Sequence, residues 1–263
     1  MPTHALLGAT GGTGAAVLRA LLASPPTDLN IKILVRSRSK LLTAFPNLEK
    51  TQSAKISIIE APITDYAALQ SCLLCAEVVH MCIATNEAKY GTRIAQDMAK
   101  AIISSLTRLR KDQGPKYIKP TILVLRSETL NPVHAQDSGR LVYPIVSFTL
   151  HYLYDDLDKA TKLYTAAAAE NSGFFNYIFV DPPALHDTVG TECTGHELLV
   201  DGSKRQSASL NYSDLGAAYV ELAERKGEYN GKSVAISATG AVREQWSVLL
   251  WYNLQGLKAR LWG

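Results

Sequence analysis

The sequence predicts an α/β protein: a doubly wound parallel sheet with a small lobe near the C-terminal end. Three observations carry that prediction. Short apolar runs with the look of buried strands alternate with longer helical patterns from residue 4 to residue 180. A glycine cluster stands directly between the first strand and the first helix. A chain of 263 residues, 47% hydrophobic and 19% charged, can bury a sizeable core without disulfide or metal staples.

The elements follow in order. His4–Leu7 reads as a short strand, and a helix from about Gly14 to Ala23 stops at Pro25-Pro26. Ile31–Val35 is a second strand, followed by a short helix over Lys40–Ala44. Ile56–Ile59 is a third strand and Tyr66–Cys75 a helix. Val78–Ile83 is a fourth strand. Arg93–Leu109 is a long amphipathic helix whose basic end, Arg108-Leu109-Arg110-Lys111, suits a helix C-terminus. Thr121–Leu125, the helix His151–Ala169 and the strand Asn176–Val180 complete the alternation. After Pro182-Pro183 the pattern loosens. Glu197–Val200 is a candidate strand, Ser213–Glu224 a helix with Ser213 as N-cap, Ser233–Ser237 a strand, and Gln245–Leu261 a closing amphipathic segment. The expected organisation is a core over 1–185 and a lobe over 186–263, packed as one unit.

The glycine turn is Gly8-Ala9-Thr10-Gly11-Gly12-Thr13-Gly14. Glycines there let the backbone turn sharply and approach a pyrophosphate, and the helix start offers N–H donors and a positive dipole end. This is the dinucleotide-binding turn of a Rossmann sheet. An NAD site usually carries an acidic residue after the second strand, to hold the ribose 2′-hydroxyl. This chain carries Arg36-Ser37-Arg38-Ser39-Lys40 instead. Guanidinium groups bind phosphate through paired, charge-assisted hydrogen bonds, so the expected cofactor is NADP(H). Ala84 and Thr85, after the fourth strand, are expected to line the channel toward the nicotinamide.

The glycine turn and the Val35-Arg36-Ser37-Arg38 segment resemble those of the NmrA-like group of atypical short-chain dehydrogenase/reductases, over roughly residues 4–185. Val180-Asp181-Pro182-Pro183-Ala184-Leu185 occupies the place of that group's Arg-Pro-Pro segment, with Asp181 in place of arginine. A standard short-chain reductase has a serine after strand five and a Tyr-x-x-x-Lys pair on the next helix, the lysine lowering the tyrosine pKa. Here Arg126 follows strand five with Ser127 beside it, and Tyr152 is followed four residues later by Asp156.

On a helical wheel Leu153, Leu157, Ala160 and Tyr164 form the apolar stripe, with Tyr152 and Asp156 on one flank and Asp158 on the other. Asp156 is therefore the first choice for an active-site acid and Asp158 the second. A carboxylate in the lysine position favours a cationic substrate, by roughly 4 kcal/mol at about 4 Å before desolvation. An imine or iminium ion fits that charge. The bland alternatives are a structural ion pair for Arg126, a solvated acidic face for Asp155, Asp156 and Asp158, and a turn cap for Asp181.

Arg126, Asp156 and Asp181 together resemble the fungal indole-alkaloid reductase/Diels–Alderases of the malbrancheamide and paraherquamide type, and the related citrinadin-type Pictet–Spenglerase. That resemblance implies an indole-alkaloid-like substrate, reduced by NADPH or cyclised over a cofactor that is not consumed. Some NmrA-like proteins are instead redox sensors, which the absent Tyr/Lys pair also permits. Tyr143, Tyr152 and Tyr154 offer faces for an aromatic substrate or simply pack the core, and His186 reads as a loop histidine or a proton shuttle. Trp246, Trp251 and Trp262 are expected to pack the closing segment onto the body.

The net charge of +3 gives no reason to expect nucleic acid or an acidic membrane surface as partner. The start Met1-Pro2-Thr3-His4 lacks the basic region of a signal peptide, and no apolar run approaches a membrane span. Cys72, Cys75, Cys82 and Cys193 read as thiols without a metal-ligand pattern, and the cytoplasm is the expected compartment. The oligomeric state is left open.

Overall fold

The structure is a computed structural model. It describes residues 2–23, 28–52, 54–137, 139, 142–170, 174–190 and 192–262, without the side chains at 248 and 262. The strands are β1 (Thr3–Leu7), β2 (Asn30–Val35), β3 (Lys55–Glu60), β4 (Val78–Met81), β5 (Thr121–Leu125), β6 (Asn176–Asp181), β7 (Ala184–His186), β8 (His196–Leu199), β9 (Ser209–Asn211) and β10 (Ser233–Ala238). The helices are α1 (Gly12–Ala23), α2 (Arg38–Ala44), α3 (Tyr66–Leu73), α4 (Ile94–Gln113), α5 (Val142–Thr149), α6 (His151–Glu170), α7 (Tyr212–Glu224), α8 (Lys226–Tyr229) and α9 (Trp246–Trp262).

Eight strands form one sheet in the order β3-β2-β1-β4-β5-β6-β10-β8. Every pairing in it is parallel except that of β10 with β8. The strand order reverses direction at β1, and the crevice beyond the strand ends there is where an open α/β sheet binds its ligand. The continuous apolar strands follow from burial on both faces. Leu6, Ile31, Ile33, Leu123 and Ile178 point to the side of α1 and α7. Ala5, Leu7, Val79, Ile122, Val124 and Phe179 point to the side of α4 and α6. Each fully buried aliphatic side chain contributes roughly 1.5–3 kcal/mol relative to exposure.

Local signals set several boundaries. The Ser37 hydroxyl accepts from the Lys40 N–H at 3.2 Å and starts α2; Asp65 does the same for α3 through Ala68 at 3.0 Å. Gly114, at φ +52°, ends α4 three residues beyond its basic run.

One expectation needs correction, and two features were not foreseen. Ser213 does not cap α7: Asn211 holds the cap position, and the Ser213 hydroxyl donates to the Glu192 carbonyl at 2.6 Å. Helix α5 and the small parallel pair β7–β9 had no clear periodic signal, because each spans only three to eight residues. The stretch after 185 is also tied into the core: β10 pairs with β6, β8 pairs with β10, and α7 packs against α1. Pro25-Pro26 lies outside the described residues.

Candidate active site

The glycine turn has the geometry of a phosphate cradle. Gly8 sits at φ +95°, a conformation that favours glycine, and its carbonyl accepts from the Gly11 N–H at 3.0 Å. A Cβ on Gly14 would lie 2.1 Å from that same carbonyl oxygen, so the helix can begin this close to the strand only without one. Helix α1 starts at Gly12, so the N–H groups of Gly12, Thr13 and Gly14 have no acceptor one turn earlier in the helix. Thr10 is half-buried in the turn itself. These residues fit a dinucleotide pyrophosphate.

Arg36 follows β2, is exposed, and makes no ion pair among the described residues. Ser37 caps α2 and thereby aims that helix's N-terminus at the same strand end. Arg38 is more committed: its guanidinium pairs with Glu49, and its N–H donates to Glu60 at 3.0 Å. After β4 the chain runs through exposed Ala84 and half-buried Thr85, whose hydroxyl accepts from the Glu87 N–H at 3.1 Å.

The structure gives the expected catalytic residues other work. Arg126 and Asp181 find each other at the ends of β5 and β6, with Nε–Oδ1 at 2.8 Å and Nη2–Oδ2 at 2.6 Å. Arg126 also donates to the Ser233 hydroxyl at 2.8 Å and stacks over the Phe179 ring at 4.1 Å. Asp181 accepts a further bond from Asn131 at 2.9 Å. Both side chains are buried. Burial pushes the Asp181 carboxyl up, and Arg126 and Asn131 pull it back down. The pair is the structural bridge weighed above for Arg126, and it replaces the turn cap weighed for Asp181.

Asp156 is 1% exposed and faces α4. It accepts from the N–H groups of Ala95 and Gln96 at 2.8 and 3.0 Å and from the Gln96 amide at 3.0 Å. It caps α4 from the neighbouring helix, where Arg93 at the cap position supplies no side-chain bond. Both carboxylate oxygens are thereby committed to the start of α4. Asp158 pairs with Lys162 at 2.6 Å on the solvent side, and Asp155 with Lys159 at 2.5 Å.

Tyr152 does border a cavity. The hollow measures about 330 Å³ between the loop after β4 and the start of α6, and is lined by Tyr90, Arg93, Gln96, His151, Tyr152, Asp155 and Lys159 among others. Tyr90 and His151 meet Tyr152 edge-on at 5.7 and 5.5 Å, and the Arg260 guanidinium lies 5.4 Å from its ring. A second hollow shares Tyr90 and Arg93 and reaches Thr85.

The sequence suggested Tyr154 only as a ring face for an aromatic substrate or as core, not for its hydroxyl. Burial raises the pKa of its hydroxyl, against the pull of the Thr129 and Ser127 hydroxyls just beyond β5. The signal was in the helix phase: at about 100° per residue Tyr154 lies some 60° from Leu157, and Tyr152 some 140° away.

His186 is neither a loop residue nor in contact with the cavity. Its Nδ1 accepts from the Gln245 N–H at 2.8 Å and its ring meets Trp246 at 5.0 Å, so it fastens the start of α9. Trp246 and Trp251 remain 46% and 59% exposed, contrary to the expected packing, and the Trp262 side chain lies outside the described residues. The four cysteines are free thiols, with Cys72 and Cys82 buried. No helix among the described residues is long and apolar enough to cross a membrane.

This crevice at the reversal of a parallel sheet, with a glycine cradle on one side, defines a nucleotide-dependent protein, and comparison with known families agrees. Residues 8–226 match the NAD(P)H-binding family model, and the chain belongs to that family. It is 49% identical over 263 residues to averufin oxidase A of Dothistroma septosporum, covering 99% of this chain and 92% of the relative. Against averufin oxidase A of Aspergillus flavus the identity is 47%, over 99% and 91%. Against the oxidoreductase nsrR of Aspergillus novofumigatus it is 33%, over 90% and 84%. Among solved structures, a short-chain dehydrogenase/reductase from Veillonella parvula in complex with NADP superposes with a TM-score of 0.65 at 15% identity, covering 91% of this chain and 95% of that one. The fold and the NAD(P)H-binding class are as the sequence predicts. The relatives named here are averufin oxidases and an oxidoreductase, not the alkaloid enzymes that the Arg126, Asp156 and Asp181 pattern resembles.

Proposed function

We propose that the chain is an NADP(H)-dependent oxidoreductase of fungal secondary metabolism that acts on averufin or a close congener. The observation that carries this reading is likeness over nearly the whole chain, 42–49% identical, to four relatives that bear the averufin oxidase name. When bound, the nicotinamide supplies or accepts a hydride at its C4.

The chain's own residues would do the rest. Gly8, Thr10, Gly11, Gly12, Thr13 and Gly14 cradle the pyrophosphate. Arg36, Ser37 and Arg38 hold the 2′-phosphate, Arg36 foremost because Arg38 is shared with Glu49. Ala84 and Thr85 flank the path to the nicotinamide. Tyr90, His151 and Tyr152 offer ring edges to a flat substrate in the cavity. Tyr154 and Ser127 are the hydroxyls at the end of β5 once Arg126 is drawn into its pair with Asp181. A tyrosine kept protonated by burial can donate a hydrogen bond to a substrate oxygen.

The imine-directed readings, reduction or cyclisation of an alkaloid, have less support, because neither Asp156 nor Asp181 is free to hold a cation. The sensor reading has no observation in its favour.

The test is absorbance at 340 nm with averufin and either NADP+ or NADPH, with product mass followed in parallel and cyclic imines as the competing panel. Turnover of averufin that falls at least tenfold in Tyr154→Phe supports the reading. Turnover of the imines alone, or of neither, refutes it.

A further inference from the structure

Helix α9 carries five leucines, and those at 250, 254, 257 and 261 share one face. The spacing of four, three and four residues is the seam of a helix that packs against another helix. In this structure most of the seam faces outward, with Leu257 partly buried. Leu250, Leu254 and Leu261 are 63%, 60% and 55% exposed. A flanking side of α9 is docked on α5. A Cβ on Gly256 would lie 2.2 Å from the Thr149 carbonyl oxygen, the Thr149 hydroxyl donates to the Asn253 side-chain oxygen at 2.6 Å, and Arg260 stacks on Phe148. These contacts fix which way the leucines point. Helix α5 adds half-exposed Ile145 and Phe148.

We propose that the α5–α9 face is a homodimer interface, formed by two copies of this chain about a twofold axis with their α9 helices antiparallel. Three features select a second copy. With the half-exposed tryptophans of α9, the exposed apolar area is roughly 800 Å², about what each partner contributes to a stable complex and more than a monomer usually leaves uncovered. A leucine seam is self-complementary, as a twofold contact requires. The described side chains of α9 include Lys258 and Arg260 and no acid, so parallel helices would set like charges side by side, whereas antiparallel helices keep them apart. The seam does not wall the cofactor crevice, because the Tyr252 side of α9 is the one turned toward Tyr212, which rests on Gly12 of the phosphate turn.

Sedimentation velocity of the full chain with NADPH, from about 1 to 50 µM, tests this. The wild type is expected at twice its 28.6 kDa chain mass. The Leu254→Glu, Leu257→Glu variant is expected to be monomeric across the range, with NADPH fluorescence reporting that it still folds and binds. Should that variant not fold, Leu254→Cys in a Cys75→Ser, Cys193→Ser background is expected to form a covalent dimer on mild oxidation. A monomeric wild type overturns the proposal, whether free in solution or floating with phosphatidylserine vesicles. So does a dimer that survives the glutamates, or a Leu254→Cys protein that does not cross-link.

Discussion

Once Arg126 closes on Asp181 with bonds of 2.8 and 2.6 Å, each group's charge is spent on the other. Removing one partner leaves the other buried and unpaired, so Asp181→Ala is expected to cost about 3–5 kcal/mol of unfolding free energy. Arg126→Met with Asp181→Leu should recover part of that loss in denaturant titrations, because no lone charge remains. For Asp156→Ala the expected loss is about 1–2 kcal/mol, as for other helix caps, with kcat within twofold of wild type. Here the sequence misled for a definable reason. Helix phase tells which flank of α6 a side chain occupies, but not that the N-terminus of α4 lies on that flank and needs an acceptor. The glycine turn was legible because it is a local, continuous segment. Arg36→Ala is expected to raise KM for NADPH at least tenfold while leaving KM for NADH within twofold, which steady-state kinetics with both cofactors would measure. An equal rise for both would remove Arg36 from the 2′-phosphate site.

At the scale of elements, the buried pair on β1 and β4 links pH to stability. His80 Nε2 lies 3.1 Å from His4 Nδ1, and His80 is fully buried. Burial lowers the His4 pKa from 6.5 to about 4, assisted by Lys226, and burial lowers that of His80 further. A histidine depressed on folding takes up its proton more readily in the unfolded chain. Unfolding free energy should therefore be highest above pH 6.5 and fall as the pH drops toward 4, on the order of 3 kcal/mol for His4 alone. Urea titrations across that window, with a His4→Phe, His80→Leu variant as reference, would measure it; a slope unchanged in the variant would assign the loss to other groups. The long periodic strands and helices of the sheet were readable because burial on two faces dictates their composition. Helix α5 and strands β7 and β9 were not, because so few residues give no period, and pairing across the fold decides their shape.

For the molecule as a whole, the order of the strands places the glycine cradle, the basic end of β2 and the Tyr152 cavity along one rim of the sheet. Rossmann topology could be read from the order of the patterns. That β10 and β8 extend the same sheet could not, since strands of four and six residues pair with partners far away in sequence. Under the proposed function, hydride passes between a nicotinamide and an averufin-type substrate on this rim. Its most direct test is stoichiometry: averufin turned over with a limiting amount of NADP+ or NADPH, and both product and cofactor quantified by mass. The expected result is that one nicotinamide changes redox state for each product molecule formed. Product formed over an unchanged cofactor, or tight NADPH binding with averufin untouched, would contradict it.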